Sequence, residues 1–591
     1  MIFKNQIIPG IGLLLLYIIL APAVFLCLDE DPYISFRFID NFIAGNGLVF
    51  NAGDRIEGFS NLLWMILLYP FQVLGFSLTV VSRLMGMLLS ILVAWRVVCF
   101  TRKLTGDNFL FSWAAGYWYL LSLPVLWWSQ CGLETSLAAL VIINTVYFSL
   151  YGSHRRFWGG VWLVASILTR PEAHMMIPFY GYFLLRSYPW QKALRGFCWV
   201  ILVIVLYHCL RYGYYGQLLS NPAYVKAGGG FNRGLAYLWS FFFEGTYFIG
   251  LPIFIFALWG RSYLKKYLPL ALVVFAYLFF NLYVGGDYKP HFRFMVPFLA
   301  PFIIVSTCGA YRLTNCFKAG KTVGVCIRAS FIILIIVNLL SYKALDERAW
   351  NTFRKGLDGW PSRVAAQIQT AENGYDISYM PYLGMWIRDT FPPGTLIAYE
   401  QMGAVPYFSG IEYEYIDLGG LENRFIAHYY RDRRPGALLR FVREILDFIT
   451  LHKRSDFLAR TFAKFSKPSQ RNPQEFIDYI LKRKPEIVMT VGHLSKLNPW
   501  KRLYSNPAFR KQYRLAQSFG FRPGVYAWGK FEYDVGNTLM FFRNDLDVET
   551  LSKAKCFFEG SSHDDYYHYT EKAELIQWVK RKFPELVDAI R

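Results

Sequence analysis

Apolar runs of membrane-spanning length recur through the first 341 residues and then stop, and no other feature limits the fold as strongly. A hydrocarbon core about 30 Å thick needs roughly 20 apolar residues in a helix, because every backbone polar group must be paired within the segment that crosses it. Candidate spans lie at about 8–28, 80–101, 108–128, 132–150, 157–169, 174–186, 194–211, 236–259, 267–284, 292–312 and 324–341. The run after Lys4 has some signal-peptide character but stays apolar to Leu28, so it reads as a retained span. At 54% hydrophobic residues, the 591-residue chain is too apolar for a soluble protein. The expected architecture is a polytopic α-helical membrane domain of about 11 transmembrane helices, residues 1–341, followed by a soluble α/β domain, residues 342–591.

Charge sets the orientation. The stretch Asn61–Phe76 is also apolar, but Pro70 and Gln72 make it a poor membrane helix, and it reads as lying at the outer face. The basic loops at Arg102 and Lys103, Arg155 and Arg156, Arg186 with Lys192 and Arg195, Arg261 with Lys265 and Lys266, and Lys318 with Lys321 then all face the cytoplasm. Of the eleven acids before residue 341, only Asp107 falls on that side. The N-terminus is expected in the cytoplasm and the C-terminal domain outside, in the periplasm of a bacterial inner membrane. The net charge of +21 sits largely in orienting loops, so nucleic acid is not an expected partner. The cysteines are mostly within apolar segments and read as packed residues rather than disulfides or a metal cluster.

Three consecutive acids, Asp29, Glu30 and Asp31, lead a long outer loop (29–79) that also carries Arg37, Arg55 and Glu57, with Arg83 beyond it. Ionisable groups gathered on one face of a membrane protein point to chemistry there. Three more outer loops carry Ser129–Thr135 followed by Thr169–Glu172, then Tyr212–Gly230, and Gly285–Arg293. Carboxylates suit a general base and sugar hydroxyls, bases suit a phosphate, and aromatic rings suit a sugar face or a lipid. Plainer readings stand beside these: Arg170 and Glu172 as a structural pair, Arg211 and Arg233 as headgroup contacts, His291 as packing, Trp127 and Trp128 as interfacial anchors. No nucleotide-binding or zinc-ligand motif stands out.

Glu30–Arg37, Gly47–Asn51, Glu57–Asn61 with Trp64, Ser129–Thr135, Thr169–Glu172, Gly285–Asp287 and Arg293–Pro297 resemble the loops of GT-C membrane glycosyltransferases, and most of all terminal arabinofuranosyltransferases of the AftB type. Gly403–Gly410 and Ile416–Leu421 extend the resemblance into the C-terminal part. It implies a polyprenyl-phosphate sugar donor, a glycan, lipid or protein acceptor in the bilayer's outer compartment, and a single inverting displacement with a first-loop acid as base. Aligned on Tyr33, the family's paired aspartates fall on Glu30 and Asp31, so Asp31 is the favoured base, with Glu30 and Asp29 as the other candidates. Leu62 stands where the family has proline. By the same analogy Arg83, Lys226, His291 and Arg293 are donor-phosphate residues, and Glu57, Glu134, Arg170, Glu172 and Asp287 shape the sugar and acceptor pocket. Some relatives of this type bind a divalent cation near these acids. A pilin glycosyltransferase and a lipid-linked-sugar flippase are the competing readings; mid-membrane charges and inverted repeats, which a flippase would need, are not evident.

In the C-terminal part, strands are expected at Thr395–Tyr399, Glu486–Thr490, Val525–Trp528 and Thr538–Phe542, and helices at Ala437–Leu451 and Pro473–Lys482. Its expected role is acceptor binding or covering the membrane site, with Asp417 and Glu422 serving turns or caps.

Overall fold

The structure, a computed structural model, describes residues 4–24, 29–151, 155–226, 230–287, 289, 291–316, 380–432, 472–491, 506–519, 526–528, 531–533 and 538–546, with a few isolated positions besides. The expected span 324–341, the helix 437–451 and the domain boundary at 341 lie essentially outside the described residues.

The helices are α1 (Lys4–Val24), α2 (Pro32–Ile43), α3 (Leu62–Val73), α4 (Leu78–Leu104), α5 (Phe109–Leu120), α6 (Leu123–Trp128), α7 (Thr135–Tyr151), α8 (Arg155–Thr169), α9 (Met176–Ser187), α10 (Trp190–Tyr215), α11 (Asn221–Lys226), α12 (Phe231–Trp239), α13 (Gly250–Leu258), α14 (Arg261–Val284) and α15 (Val296–Cys316). Leu78–Leu104, Trp190–Tyr215, Arg261–Val284 and Arg293–Cys316 are each long and apolar enough to cross a membrane. Every expected span up to residue 312 falls on one or two helices, but two are broken. The 108–128 run divides at Leu121 and Ser122, where Pro124 starts a new helix. The 236–259 run bends by 87° around Gly245 and Thr246, the latter held at φ +58°.

Helix α3 has 12 residues, about 18 Å at 1.5 Å per residue, which is too short to cross a bilayer. It packs Trp64, Met65 and Leu68 inward, and the Trp64 indole donates to the Gly132 carbonyl at 3.0 Å.

The bundle has a basic end and an acidic end. At the basic end Lys266 donates to the last carbonyl of α4, Leu104 O, at 2.7 Å. Arg312 donates to Trp259 O, just past α13, at 2.6 Å, and Arg186 to Lys265 O at 2.6 Å. Lys266 and Arg312 thus take carbonyls exposed where helices end, and Arg186 takes one that Pro269, having no N–H, leaves unbonded inside α14. The loops carrying Asp29, Asp31, Glu57, Glu134, Glu172 and Asp287 meet at the opposite end.

Beyond the bundle lies a five-stranded mixed sheet, ordered β2-β1-β3-β7-β4, from β1 (Leu396–Tyr399), β2 (Glu414–Asp417), β3 (Ile487–Val491), β4 (Tyr513–Phe519) and β7 (Thr538–Arg543); β5 (Tyr526–Trp528) pairs β6 (Phe531–Tyr533) separately. β1 runs parallel to β2 and β3, while β7 is antiparallel to β3 and β4. The expected strands near 396, 487, 526 and 538 and the helix Pro473–Arg483 are present. β2 and β4 were not expected, because Glu414 and Asp417 in one and Arg514, Gln517 and Ser518 in the other dilute the strand pattern.

The first loop joins the bundle to this sheet. Asn51 pairs with edge strand β2 as a neighbouring strand would, its amide donating to Tyr415 O at 2.8 Å and accepting from Tyr415 N at 3.1 Å. Helix α2 begins at Pro32, whose fixed φ suits a first turn, and packs Tyr33 against Tyr407 and Phe408 at 5.2 and 5.3 Å between ring centres. One turn on, the fully buried Arg37 donates to Phe50 O (3.0 Å), Gly410 O (2.7 Å), Tyr413 O (2.7 Å) and Pro406 O. Burial pushes the guanidinium down to about 10, still well above neutrality.

Arg37→Ala is expected to strand these carbonyls and to destabilise the junction by about 3–5 kcal/mol. Limited proteolysis of the full chain in detergent checks this: faster release of the C-terminal part, with Arg37→Lys intermediate, is the expected result.

Candidate active site

The acidic end encloses a cavity of about 340 Å³. Four separated stretches supply its charged lining and the polar groups beside it: Asp31, Ser35, Ser60 and Asn61 from the first loop; Glu134 before α7; Arg170 and Glu172 after α8; and Arg293 before α15. Ser220 and Leu421 close other sides, and Phe59, Phe280, Tyr283 and Phe294 give it apolar walls.

One electrostatic cluster centres on Asp31, which occupies the N-cap position of α2. Its Oδ1 lies 3.2 Å from Lys289 Nζ and its Oδ2 3.2 Å from Arg293 Nη1. Lys289 also reaches Asp29 Oδ1 at 2.7 Å, and that same oxygen accepts from the Asp31 backbone N–H at 3.0 Å. Asp287 grips Arg293 from behind with both oxygens, at 2.6 and 3.2 Å, and Arg293 lies over the Trp128 and Phe294 rings. The bidentate grip leaves the guanidinium one direction in which to point.

A second cluster centres on Arg170. Its Nη1 meets Glu134 Oε1 at 2.7 Å and its Nε meets Glu172. Glu134 Oε2 accepts from Asn61 Nδ2 at 3.0 Å, and Asn61 exchanges hydrogen bonds with Ser35. The two glutamates are about 5% exposed, so the guanidinium between them is what makes their burial tolerable.

Of the residues predicted from sequence, Asp31, Glu134, Arg170, Glu172 and Arg293 line the cavity. Asp29 and Asp287 stand behind it, holding Lys289 and Arg293. Glu30 turns away: its carboxylate accepts from the Gly403 N–H, where an added Cβ would fall 2.0 Å from Glu30 O. Burial and the Asp31 charge push its carboxyl up to about 8, against the pull of Lys289. Glu57 pairs with Arg211 at 2.5 Å rather than facing the cavity, and burial raises its carboxyl. Arg211 is therefore an ion-pair partner in the fold.

His291 is corrected as a phosphate cation. It is 3% exposed, its ring lies 4.0 Å from that of Trp127, and burial lowers it to about 3, so it is neutral. Arg83 stands at the acidic end of α4, where its charge is felt at the buried Cys131 together with those of Asp29, Lys289 and Arg293. Lys226 ends α11, and its side chain lies outside the described residues. Sequence reasoning gave no role to Lys289, although it stands two residues after Asp287, nor to Ser35, Asn61 and Ser220. Among the described residues no three His, Cys, Asp or Glu side chains are grouped to hold a metal; Lys289 and Arg293 supply the positive charge between the acids.

In the C-terminal part, Asp417 accepts from the backbone N–H groups of Gly419 (2.6 Å) and Glu422 (2.7 Å), a turn-capping role, while burial raises its carboxyl to about 6. Glu422 stands against Gly58, where a Cβ would lie 1.8 Å from its Oε1. Its carboxylate oxygens have no hydrogen-bond partner among the described residues, and burial holds the carboxyl well above the usual range.

Comparison with known proteins finds a family described as a domain of unknown function (DUF8728) over residues 366–538. Two curated relatives are named terminal beta-(1->2)-arabinofuranosyltransferase. The one from Mycobacterium tuberculosis is 27% identical over 247 residues, 36% of this chain and 37% of the relative. The one from Corynebacterium glutamicum is 26% identical over 342 residues, 47% of each. The chain thus spans less than half the length of the curated relatives it matches. Among solved structures, ArnT from Cupriavidus metallidurans aligns in its apo state with 12% identity, 92% of this chain, 98% of that chain and a TM-score of 0.45. The same protein bound to undecaprenyl phosphate gives 10% identity, 91%, 98% and 0.44.

Glu30 yields a pH prediction. Its folded-state value lies above the ordinary 4.5, so its protonated form favours the fold; this contribution is complete below about 4.5 and is lost as pH rises through about 8. Thermal stability in detergent is expected to fall from pH 5 to 9, and Glu30→Gln to flatten the slope; an unchanged slope would remove Glu30 as a contributor.

Proposed function

We propose that this chain is a GT-C-type membrane glycosyltransferase that moves a pentofuranose, arabinofuranose by analogy with its named relatives, from a polyprenyl-phosphate donor to a glycan acceptor. The acidic end faces the periplasm in this reading, because the basic loops belong in the cytoplasm. Nucleotide sugars are made on the cytoplasmic side, so a donor used at the outer face has to be lipid-linked.

The observation that carries the reading is Asp31, inside a sugar-sized cavity and suspended between Lys289 and Arg293. An aspartate gripped by two cations is a poor base. A donor phosphate entering beside it competes for both cations and weakens their hold on the carboxylate. The acceptor hydroxyl then loses its proton to Asp31 as its oxygen bonds to the anomeric carbon. The bond from that carbon to the phosphate oxygen breaks on the opposite face, and the configuration inverts. Lys289 and Arg293 take up the charge that grows on the leaving phosphate. Glu134, Glu172 and Arg170 offer fixed acceptors and a donor to sugar hydroxyls.

The test is transfer of labelled arabinose from synthetic polyprenyl-phosphate arabinofuranose, by full-length protein in nanodiscs, to a panel of arabinan, lipid and pilin acceptors. Transfer to a glycan acceptor is expected, and none to any acceptor would sink the reading. Asp31→Asn is expected to lower kcat by about 10²–10⁴, the usual worth of a general base. Glu30→Gln should stay within about tenfold of wild type, and the reverse ranking would move the base to Glu30.

The second cluster gives a separate outcome. Arg170→Met leaves Glu134 and Glu172 buried without a counter-charge and should cost about 3–5 kcal/mol of stability, read as a lowered melting temperature. Adding Glu134→Gln to it should recover part of that loss.

A further inference from the structure

A second hollow, of about 710 Å³, lies between the first loop and the C-terminal part. It shares its walls with the cavity. Gly53–Ile56 line the hollow and Gly58–Asn61 line the cavity; on the other wall Asn423–Phe425 line the hollow and Leu421 the cavity. Glu57, ion-paired to Arg211, and Glu422, which stands against Gly58, fall between the two linings along the two segments.

The lining differs in chemistry from the cavity. Arg55, Arg424 and Arg483 meet a single acid, Asp54, leaving a cationic excess. Phe425 and Tyr479 stack at 4.3 Å and 15°, and Asn423 donates to the Tyr479 hydroxyl at 2.8 Å, which fixes the pair in place. Arg424 is fixed too, donating to Tyr215 O at 2.6 Å and Arg55 O at 3.2 Å. Half-buried aromatic faces beside guanidinium groups suit the C–H face of a sugar and its anionic substituents together. A phosphate headgroup alone would use the cations and leave the rings idle.

The cavity is near the lower end of ligand-pocket sizes and takes a sugar or two rather than a polymer. Any longer acceptor must lay its remaining residues elsewhere. We infer that this hollow is a binding groove for the non-reacting stretch of an extended glycan bearing carboxylate or phosphate groups, whose end is presented to the neighbouring cavity. The inference rests on the transferase reading for its purpose but is tested by binding alone.

The experiment uses the full chain in nanodiscs and a fluorescent tetrasaccharide of uronic acid residues, with a neutral tetrasaccharide of equal length as comparison. Saturable binding of the acidic probe is expected, at least tenfold tighter than the neutral one. It should weaken at least tenfold in Tyr479→Ala and in Arg483→Glu. Should Tyr479→Ala fail to fold, Arg483→Glu decides alone, since that side chain is exposed. No saturable binding, equal affinity in Arg483→Glu, or equal affinity for the two probes would each overturn the inference. So would variants that change only adsorption to anionic lipid, which would make the hollow a headgroup site. The probe carries no transferable sugar, so a negative result leaves the transfer assay intact, and a negative transfer assay leaves this one readable.

Discussion

The arrangement depends on one buried guanidinium. Arg37 is a full charge buried away from solvent, and among the described residues no carboxylate is hydrogen-bonded to it; four backbone carbonyls, one from the first loop and three from the stretch between β1 and β2, take its N–H groups. A lysine offers three donors about a single nitrogen and could not span that set, whereas the planar fork of arginine can. The same contacts orient α2, and Asp31 stands at the head of α2. The distance from a candidate base to its cations is therefore set partly by carbonyls some 370 residues away in the chain.

Given that frame, the acid run resolves by direction. Side chains of three consecutive residues cannot share one environment in the turn that opens a helix. Asp29 and Asp31 converge on Lys289, and Glu30 points across to Gly403. Three carboxylates of this cluster meet two directly bonded cations, with Arg83 close enough for its charge to be felt nearby. In the proposed reaction an arriving donor phosphate would have to displace carboxylates rather than fill a ready cationic hole, which would couple donor binding to release of Asp31.

Much of this was readable from sequence because the expensive groups announce themselves. Asp31, Glu134, Arg170, Glu172 and Arg293 stand on four separated loops, and ionisable groups beside apolar runs have few harmless places to go. What was not readable is where each side chain points. Glu30 and Asp31 are adjacent and chemically alike, and only the folded turn separates them. His291 reads as a cation in the sequence, but the fold buries its ring against Trp127, and that burial disfavours the charged form. The broken 236–259 run has the composition of one span, and nothing in its hydropathy marks Thr246 as the bend. Strand β2 was hidden because a four-residue strand with acids at both ends has no alternation to display.

The composition of the chain divides near residue 341, but the cavity does not respect that division. Leu421 lines it, Glu422 presses on Gly58, Gly403 holds Glu30, and Pro406, Gly410 and Tyr413 hold Arg37. Apolar helices alone could bring the acids to one end of a bundle, since the cost of placing them deeper forbids anything else. They could not stop those acids from repelling one another into solvent. The C-terminal segments close the cavity from above and lower the local dielectric, and within that closure the Lys289, Arg293 and Arg170 pairings become strong enough to fix geometry. A glycine at 58 follows from the same closure, because the wall between cavity and groove is only as thick as one backbone against one carboxyl group.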